Sequence, residues 1–286
     1  MKNVLFYCHD FYPLNNGYAN AYLNLIQSIL KFNDDIHVTV VTSTELRDND
    51  ELNIVNLNVN RIKKKNKIKF FGKFINEKNV ARFINSLMSE NTFDMLFVET
   101  FDQPFLLSNI KKEHFSKIVI RVHSTSETEY TFFIPKLVYK IKKYLIRNHV
   151  NKKVKWIAST NSFHIEFVKK YYFSDNVIDI GTKSFSIIPN TIFPDPLYLA
   201  RPENEAKDKI KAVLLGRMER EGYIQKGFED VFIALNLIEP SLLERLDLLV
   251  IGQGEYKRYL THLAQPLNCV TFIDSMNHDD LILLLQ

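Results

Sequence analysis

The stretch from Lys211 to Gly254 places the strongest constraint on what this chain can fold into. An apolar run, Ala212–Leu215, ends on a glycine, and a second apolar run, Leu246–Ile251, ends in Gly252-Gln253-Gly254. Between the two runs, apolar residues recur at the spacing of a helix from Phe228 to Ile238. A strand, a loop, a helix and a second strand in this order predict a βαβ unit with parallel strands.

Two basic residues flank the loop of this unit. Arg217 directly follows the first apolar run and its Gly216, and Lys226 stands just before Gly227 and the predicted helix. In open α/β sheets, ligands bind at the carboxyl ends of the strands. Cations beside glycine amides and a helix start suit a phosphate or diphosphate. The plainer alternative is a pair of solvated loop charges, since most charged side chains lie on the surface.

Length and composition predict two globular α/β domains. The chain has 286 residues, of which 46% are hydrophobic and 24% charged, so it exceeds one typical domain and is too apolar for a disordered chain. The segment FPDPLYLARPENEAKD contains three prolines, and we place the domain linker there, near Asp195–Asp208. Residues 1–200 are therefore assigned to an N-terminal domain, and residues 201–286 to a C-terminal one.

The N-terminal half repeats the alternation of strand and helix. Asn3–Cys8 predicts a first strand, Gly17 opens a helix and His37–Ser43 predicts the next strand, whereas residues 44–80 show no clear pattern. Further strands are predicted at Asp94–Glu99, Lys117–Val122, Lys155–Ser159 and Ser184–Ile188. Gly17, at a helix amino terminus, and His123, directly after a strand, stand where a ligand can approach. A lone histidine at such a place is more often structural, so position alone assigns it no role.

The C-terminal half has few strands. After Val270–Asp274, the last predicted strand, a helix at Asp279–Leu285 is apolar nearly all round. Doubly wound domains usually have about five or six strands, and an all-apolar helix normally has neighbours on several sides. We therefore expect the natural protein, or its intact ancestor, to continue beyond Gln286.

The cysteines and the charge pattern indicate in which compartment the protein resides and which partners it can have. Cys8 and Cys269 both fall in predicted strands, which indicates buried free thiols in a reducing cytoplasm. No apolar run approaches the roughly 20 residues of a membrane-spanning helix. Two basic stretches with interleaved apolar residues, Arg61–Lys73 and Lys136–Lys155, fit peripheral contact with an anionic membrane as well as they fit a solvated helix face. Nucleic acid is disfavoured as a partner, because no recognisable binding module accompanies the charge.

In chain order, these pieces resemble the retaining GT-B glycosyltransferases of glycosyltransferase family 4 (group 1). The loop with Pro13 and Gly17 is similar to the glycine loop of the family, and His123 matches the histidine of its N-terminal domain. The segment WIASTNSFHIEFVKKYY resembles a family strand and helix, and IIPNTIFPD resembles the turn at the domain junction, with Asn190 matching. A threonine follows Asn190 where the family usually has glycine.

The C-terminal half carries the likeness to the family's donor domain. Gly216-Arg217 and Lys226-Gly227 match its donor-phosphate pair, and VIGQGEYKRYLTHLA, which contains Gly252, resembles its GxGP strand and helix. The segment VTFIDSMNHDDL resembles the strand and turn beside the nucleotide base. The chain departs from the family in a longer loop between the two cations and in lacking the Glu-x7-Glu element.

The resemblance implies two Rossmann-like domains of GT-B type, the first on the acceptor side and the second, incomplete, for the donor. The implied reaction moves a sugar from a nucleotide-sugar donor to a glycan or lipid-linked acceptor, in surface polysaccharide or lipopolysaccharide biosynthesis. It retains anomeric configuration and uses no cofactor and no metal. The implied catalytic residues are His123, which orients the donor sugar, and Arg217 and Lys226, which stabilise charge on the leaving diphosphate. The implied donor-binding residues are Gly17, Asn190, Gly216 and Gly252.

Other functions stay open at this point. The chain would be an inactive remnant or a non-catalytic partner subunit of a glycosyltransferase if the lacking Glu-x7-Glu element is essential. Sugar epimerisation ranks low, because no matching set of bases is found. A nicotinamide dehydrogenase is disfavoured, because Gly252-Gln253-Gly254 lacks the third glycine of the dinucleotide fingerprint and stands late in the chain.

Overall fold

A computed structural model describes residues 1–14, 16–45, 52–63, 71–99, 103–122, 136–146, 154–170, 183–190, 209–276 and 278–285. The chain divides into two compact units, Met1–Phe193 and Pro194–Gln286. The predicted linker near Asp195–Asp208 and the predicted catalytic residue His123 lie outside the described residues. The domain boundary at residue 200 therefore stays a prediction.

The described strands and helices alternate along both units. The strands are β1 (Lys2–Cys8), β2 (Ile36–Thr42), β3 (Leu57–Arg61), β4 (Met95–Val98), β5 (Ile118–Val122), β6 (Trp156–Ser159), β7 (Ser184–Ile187), β8 (Ile210–Leu215), β9 (Leu246–Ile251) and β10 (Val270–Ile273). The α-helices are α1 (Gly17–Phe32), α2 (Phe71–Glu90), α3 (Pro104–Asn109), α4 (Lys136–Leu145), α5 (Ser162–Val168), α6 (Arg220–Lys226), α7 (Phe228–Leu235), α8 (Pro240–Leu243), α9 (Lys257–Leu263) and α10 (His278–Leu285). A short 3-10 helix, Lys112–Lys117, precedes β5.

The first unit contains a parallel sheet in the order β3-β2-β1-β4-β5-β6-β7. β1 lies between β2 and β4, with Val4 opposite both Val38 and Met95. The chain adds strands on one side of β1 as far as β3 and then on the other side from β4 to β7. The carboxyl ends of β1 and β4 therefore form the topological switch point of the sheet, where ligands bind in open α/β folds.

Helices bury both faces of this sheet. On one face, Tyr22 and Ile26 of α1 pack on the apolar side chains of β1 and β2. On the other face, Val80 and Ile84 of α2 pack with side chains of β1, β4 and β5. The strand β5, Ile118–Val122, is buried at every position, as expected for a parallel strand covered on both faces, and Arg121 is its one charged residue.

The start of α1 confirms the predicted helix at Gly17. The side chain of Asn16 accepts a hydrogen bond from the backbone N–H of Ala19 at 2.9 Å, which caps the helix. A Cβ atom placed on Gly17 would meet no atom within 4 Å. The space beside this helix end is therefore open.

The second unit contains a parallel sheet in the order β10-β9-β8, and β8, α7 and β9 form the predicted βαβ unit. Its core is built by Phe228 and Phe232 of α7, Val250 of β9 and Leu260 of α9, all fully buried. The predicted apolar helix is present as α10, in which Leu283 and Leu284 are exposed.

Several local features differ from the sequence analysis. The segment between Arg217 and Lys226 was expected to be a loop, but a helix, α6, occupies most of it. The sequence did not predict this helix, because 7 residues are too few to show a helical period. The strand β3 lies in a part left unassigned. Cys269 precedes β10 and is half-buried, whereas Cys8 is buried at the end of β1 as expected, and both are free thiols.

Among the described helices, none has the length and apolarity needed to cross a membrane.

Candidate functional site

The loops at the carboxyl edge of the second sheet are joined by hydrogen bonds. The N–H of Met218, in the loop after β8, donates to the carbonyl of Gln253 at 3.0 Å, and the N–H of Tyr256 donates back to the carbonyl of Met218 at 2.9 Å. The hydroxyl of Ser275, after β10, donates to the side-chain oxygen of Gln253 at 3.2 Å. The three loops therefore form one connected surface.

Two glycines make this close approach of the loops possible. A Cβ atom on Gly252 would lie 1.9 Å from the carbonyl oxygen of Gly216, and one on Gly254 would lie 2.2 Å from the carbonyl carbon of Met218. Both have positive φ values, near 155°, which side chains rarely permit. The predicted role of Gly252 in donor binding stays a prediction, but its contacts already explain why glycine occupies this position.

Both predicted cations lie at this edge and are exposed. Arg217 follows β8 and forms an ion pair with Glu219, and their side chains are 65% and 51% exposed. Lys226 ends α6, and its stem crosses the end of β8, because a Cβ atom on Gly216 would lie 2.9 Å from Lys226 Cγ. Gly227, with φ of 61°, then turns the chain into α7.

Aromatic contacts fix α6 against its neighbours. The ring of Tyr223 stacks on the ring of Tyr256, with centroids 4.4 Å apart and an angle of 7° between planes. The hydroxyls of Tyr223 and Tyr259 both donate to the carboxylate of Glu229. These hydrogen bonds lower the pKa of Glu229 and raise the pKa of both tyrosines. The helix that ends in Lys226 is thus held to both α7 and α9.

A second group of polar residues lies at the switch point of the first unit. The N–H of His9, directly after β1, donates to Oε2 of Glu99, directly after β4, at 2.7 Å. Glu99 is 5% exposed, and its burial raises its pKa to about 8 despite this hydrogen bond, with a further contribution from Asp10. Ser43, after β2, places its hydroxyl 3.1 Å from Nδ1 of His9. Three neighbouring strands therefore contribute polar groups to this edge.

Asn190 is held by a buried arginine. Nη2 of Arg121, in β5, donates to Oδ1 of Asn190 at 3.0 Å and to the carbonyls of Ile188 and Pro189 at 3.1 Å each. Its guanidinium also lies over the ring of Tyr22, 5.3 Å from the centroid. Arg121 therefore fixes the turn after β7 in which Asn190 was predicted to bind the donor, and that binding role stays a prediction.

The sequence matches no protein-family model and no curated protein at a significant level, but solved structures resemble it across the chain. WaaG, a glycosyltransferase of lipopolysaccharide biosynthesis, matches with a TM-score of 0.64 and 16% identity, covering 99% of this chain and 72% of WaaG. Sucrose-phosphate synthase from Thermosynechococcus elongatus matches with a TM-score of 0.68 and 14% identity, covering 99% of this chain and 73% of that one. HepE of Anabaena, solved with UDP and glucose, matches with a TM-score of 0.62 and 13% identity, covering 100% of this chain and 72% of HepE.

The fold is that of the GT-B glycosyltransferases. Of the predicted site residues, the GT-B chain brings Gly216, Arg217, Lys226 and Gly252 together at one edge of its second unit. Gly17 and Asn190 belong to the first unit. Among the described residues, no group of three His, Cys, Asp or Glu side chains is placed to hold a metal ion.

Glu99, Arg121 and Glu229 were not among the site residues predicted from the sequence. A weak signal existed for the first two, since each carries a charge within or directly after an otherwise apolar strand, where it must be buried and hydrogen-bonded. Glu229 gave no signal, because an acidic residue in the first turn of a helix is common on a protein surface. Its role depends on two tyrosines that the sequence alone does not place beside it.

Proposed function

We propose that this chain is a glycosyltransferase that uses a nucleotide-sugar donor, with the donor diphosphate bound by Arg217 and Lys226. The observation that carries the proposal is the pair of exposed cations, Arg217 before α6 and Lys226 at its last residue, at the carboxyl edge of a parallel sheet. HepE, which shares the fold, was solved with UDP and glucose. That neighbour supports a nucleotide sugar as the donor class here.

The arrangement suits the chemistry of glycosyl transfer. Breaking the anomeric C–O bond leaves negative charge on the departing diphosphate, and fixed cations lower the energy of that transition state. A guanidinium binds phosphate oxygens in pairs, whereas an ammonium acts as a point charge, so Arg217 and Lys226 make complementary contacts. Glu219 forms an ion pair with Arg217, and a bound diphosphate would compete for the same guanidinium.

The finer parts of the proposal follow the family resemblance. The transfer retains anomeric configuration without a metal, His123 orients the donor sugar, and Gly17 and Asn190 contribute to donor binding. The acceptor is a glycan or a lipid-linked saccharide in surface polysaccharide or lipopolysaccharide biosynthesis. Peripheral membrane contact is assigned to α4, where the apolar Ile141 and Tyr144 are exposed on a lysine-rich helix.

The test is a panel of nucleotide sugars, scored on the full chain by thermal shift, by calorimetric binding and by transfer or hydrolysis. Arg217→Ala and Lys226→Ala should each weaken binding about ten- to hundredfold, because a hydrogen bond to a charged group contributes about 1.5–3 kcal/mol. The matched controls are Arg245→Ala and Lys211→Ala. Both residues are exposed at the amino ends of β9 and β8, so they lie at the opposite edge of the same sheet.

Three outcomes separate the alternatives. Loss of binding in the two site variants but not in the two controls supports the diphosphate site. Equal binding by all four variants contradicts it. Binding of a nucleotide sugar without turnover, on any acceptor or with water, favours a non-catalytic partner subunit or remnant instead of an active enzyme.

A further inference from the structure

The strand β8 forms an edge of the second sheet. Among the described strands it pairs with β9 alone, in continuous register along its whole length. The N–H groups of Ile210 and Gly216, at the two ends of β8, both donate toward the β9 side of the sheet. Because backbone groups alternate in direction along a parallel strand, those of Lys211, Val213 and Leu215 point to the outer side.

The side chains at this outer edge are mostly apolar. Leu214 packs on the core of the second unit, so Val213 and Leu215 lie on the opposite face of the sheet, where they are 39% and 46% exposed. Lys211 is the one charged residue of β8, and its partner in the register with β9 is Asp247. A carboxylate therefore lies beside the lysine on the same face and reduces its power to repel another chain.

An edge of this composition is a template for pairing with another strand. Native sheets usually blunt their edges with short strands, prolines, charges or bulges. The other described edge strands follow this rule, since β3 contains two asparagines and an arginine, and β7 and β10 have 4 residues each. The strand β8 has 6 residues, all apolar but one, with no proline and no break in register. It is therefore the described edge with the strongest tendency to pair.

We propose that β8 is a dimerisation edge, which pairs with β8 of a second copy of this chain around a twofold axis at Val213. The two strands run antiparallel, so that Val213 lies opposite the same residue of the second copy and Lys211 lies opposite Leu215. The outward backbone groups of these residues then exchange hydrogen bonds. The two sheets join into one sheet of order β10-β9-β8-β8-β9-β10, and this inference does not depend on the proposed function.

The charges of the strand favour a second copy as its partner. Like charges directly opposite each other destabilise a strand pair. In the register centred on Val213, the two Lys211 ammonium groups are kept apart, and the aliphatic stem of each lies along Leu215 of the other copy. The next outward positions, Lys209 and Arg217, lie beyond the ends of β8, and Arg217 is already in an ion pair. Because the pair uses the outer edge of both copies, association stops at the dimer.

The experiment measures the mass of the full chain by light scattering and sedimentation, at concentrations up to about 100 μM. We expect a concentration-dependent dimer of twice the mass of one chain. Val213→Lys and Val213→Glu each place like charges opposite each other on the twofold axis, so each should raise the dissociation constant at least about tenfold. A mixture of the two variants places opposite charges there, so it should form a heterodimer.

Two controls and one further pair of variants test the position and the register. Val213→Thr keeps an uncharged, β-branched side chain, and Ile233→Lys adds a charge at an exposed position of α7, so both should dimerise as the unchanged chain does. Leu215→Glu faces Lys211 of the second copy and should dimerise at least as tightly as the unchanged chain. Leu215→Lys faces the same lysine and should weaken the dimer about tenfold.

Each other result counts against the pairing. A monomer at every concentration overturns it, and so does a dimer that both charged Val213 variants retain. Failure of those two variants to associate when mixed also overturns it, whereas their association shows in addition that both are folded. Oligomers larger than a dimer contradict a closed pair. Equal dimerisation of Leu215→Glu and Leu215→Lys overturns the register centred on Val213.

Discussion

Replacing Glu99 by glutamine should stabilise the first unit more strongly as pH rises. The carboxyl of Glu99 is 5% exposed, and burial raises its pKa from 4.5 to about 8. The folded chain therefore keeps a proton on Glu99 that the unfolded chain has already lost above pH 4.5. Because the folded state binds the extra proton, stability falls as pH rises through this window. Glutamine has the same shape and no proton to lose.

The size of the effect follows from the pKa difference. Between pH 4.5 and about 8, each pH unit removes about 1.4 kcal/mol of unfolding free energy from the unchanged chain through this group. Between pH 5 and pH 7, the unchanged chain should therefore lose about 2.7 kcal/mol relative to Glu99→Gln. The loss slows near pH 8, where the folded chain itself begins to release the proton, and the two stability curves should run parallel only at higher pH. Other titrating groups are common to both proteins, so their contributions cancel in the difference.

The assay is urea unfolding followed by tryptophan fluorescence at pH 5, 6, 7 and 8. The chain has one tryptophan, Trp156, which lies in β6 of the first unit, so the signal reports on the unit that contains Glu99. The matched control is Glu45→Gln, which removes an exposed carboxyl from the same unit. Its stability should follow that of the unchanged chain at every pH. Parallel curves for Glu99→Gln and the unchanged chain between pH 5 and pH 7 would refute the reasoning, because they would mean that Glu99 is ionised when folded.

Three further predictions concern the second unit, the start of α1 and the surface. Glu229→Gln should weaken UDP binding severalfold in calorimetry with little change in fold, because the weaker hydrogen bonds from its two tyrosine partners would make α6 less rigid. Unchanged affinity would show that these hydrogen bonds are not needed to position α6. Gly254→Ala should destabilise the second unit by at least about 2 kcal/mol, measured by hydrogen exchange, because the new Cβ atom overlaps the loop after β8. The control is Gly17→Ala, whose Cβ atom meets no other atom, and it should change stability by no more than about 1 kcal/mol. Replacing Lys140 and Lys143 by glutamate should reduce sedimentation with anionic vesicles, since each lysine contributes about 1 kcal/mol at such a surface; equal sedimentation of both proteins would exclude α4 as the contact.

Most of the fold could be predicted because parallel strands buried on both faces appear in the sequence as nearly continuous apolar runs. The runs that became β1, β5 and β9 are apolar almost throughout, and each is followed by loop residues and a helical period. β3 was missed although Leu57–Arg61 alternates between apolar and polar residues, because five residues in a polar region are too few to stand out. α6 was missed for the same reason of length.

The candidate site could be predicted only in part, because side-chain partners come from distant parts of the chain. Arg217 and Lys226 stand beside glycines at the end of a strand, and this local pattern was enough to select them. The contact of Glu229 with Tyr259 joins residues 30 positions apart on different helices, and the contact of His9 with Glu99 joins residues 90 positions apart. Contacts of this kind follow from the order of strands in the sheet, which one sequence does not reveal.

The polar groups at the strand edges of the two units differ in their exposure to water. In the second unit, backbone hydrogen bonds and two glycines fix the loops, while the cations of Arg217 and Lys226 stay exposed to water. Exposed cations keep their charge and attract a diphosphate over a distance, so this part of binding should weaken as salt is added. In the first unit, burial raises the pKa of Glu99 to about 8, so this carboxyl is neutral at pH 7, and salt screens its hydrogen bond to the backbone of His9 little. Added salt should therefore weaken a diphosphate bound as proposed at Arg217 and Lys226 without changing the protonation of Glu99.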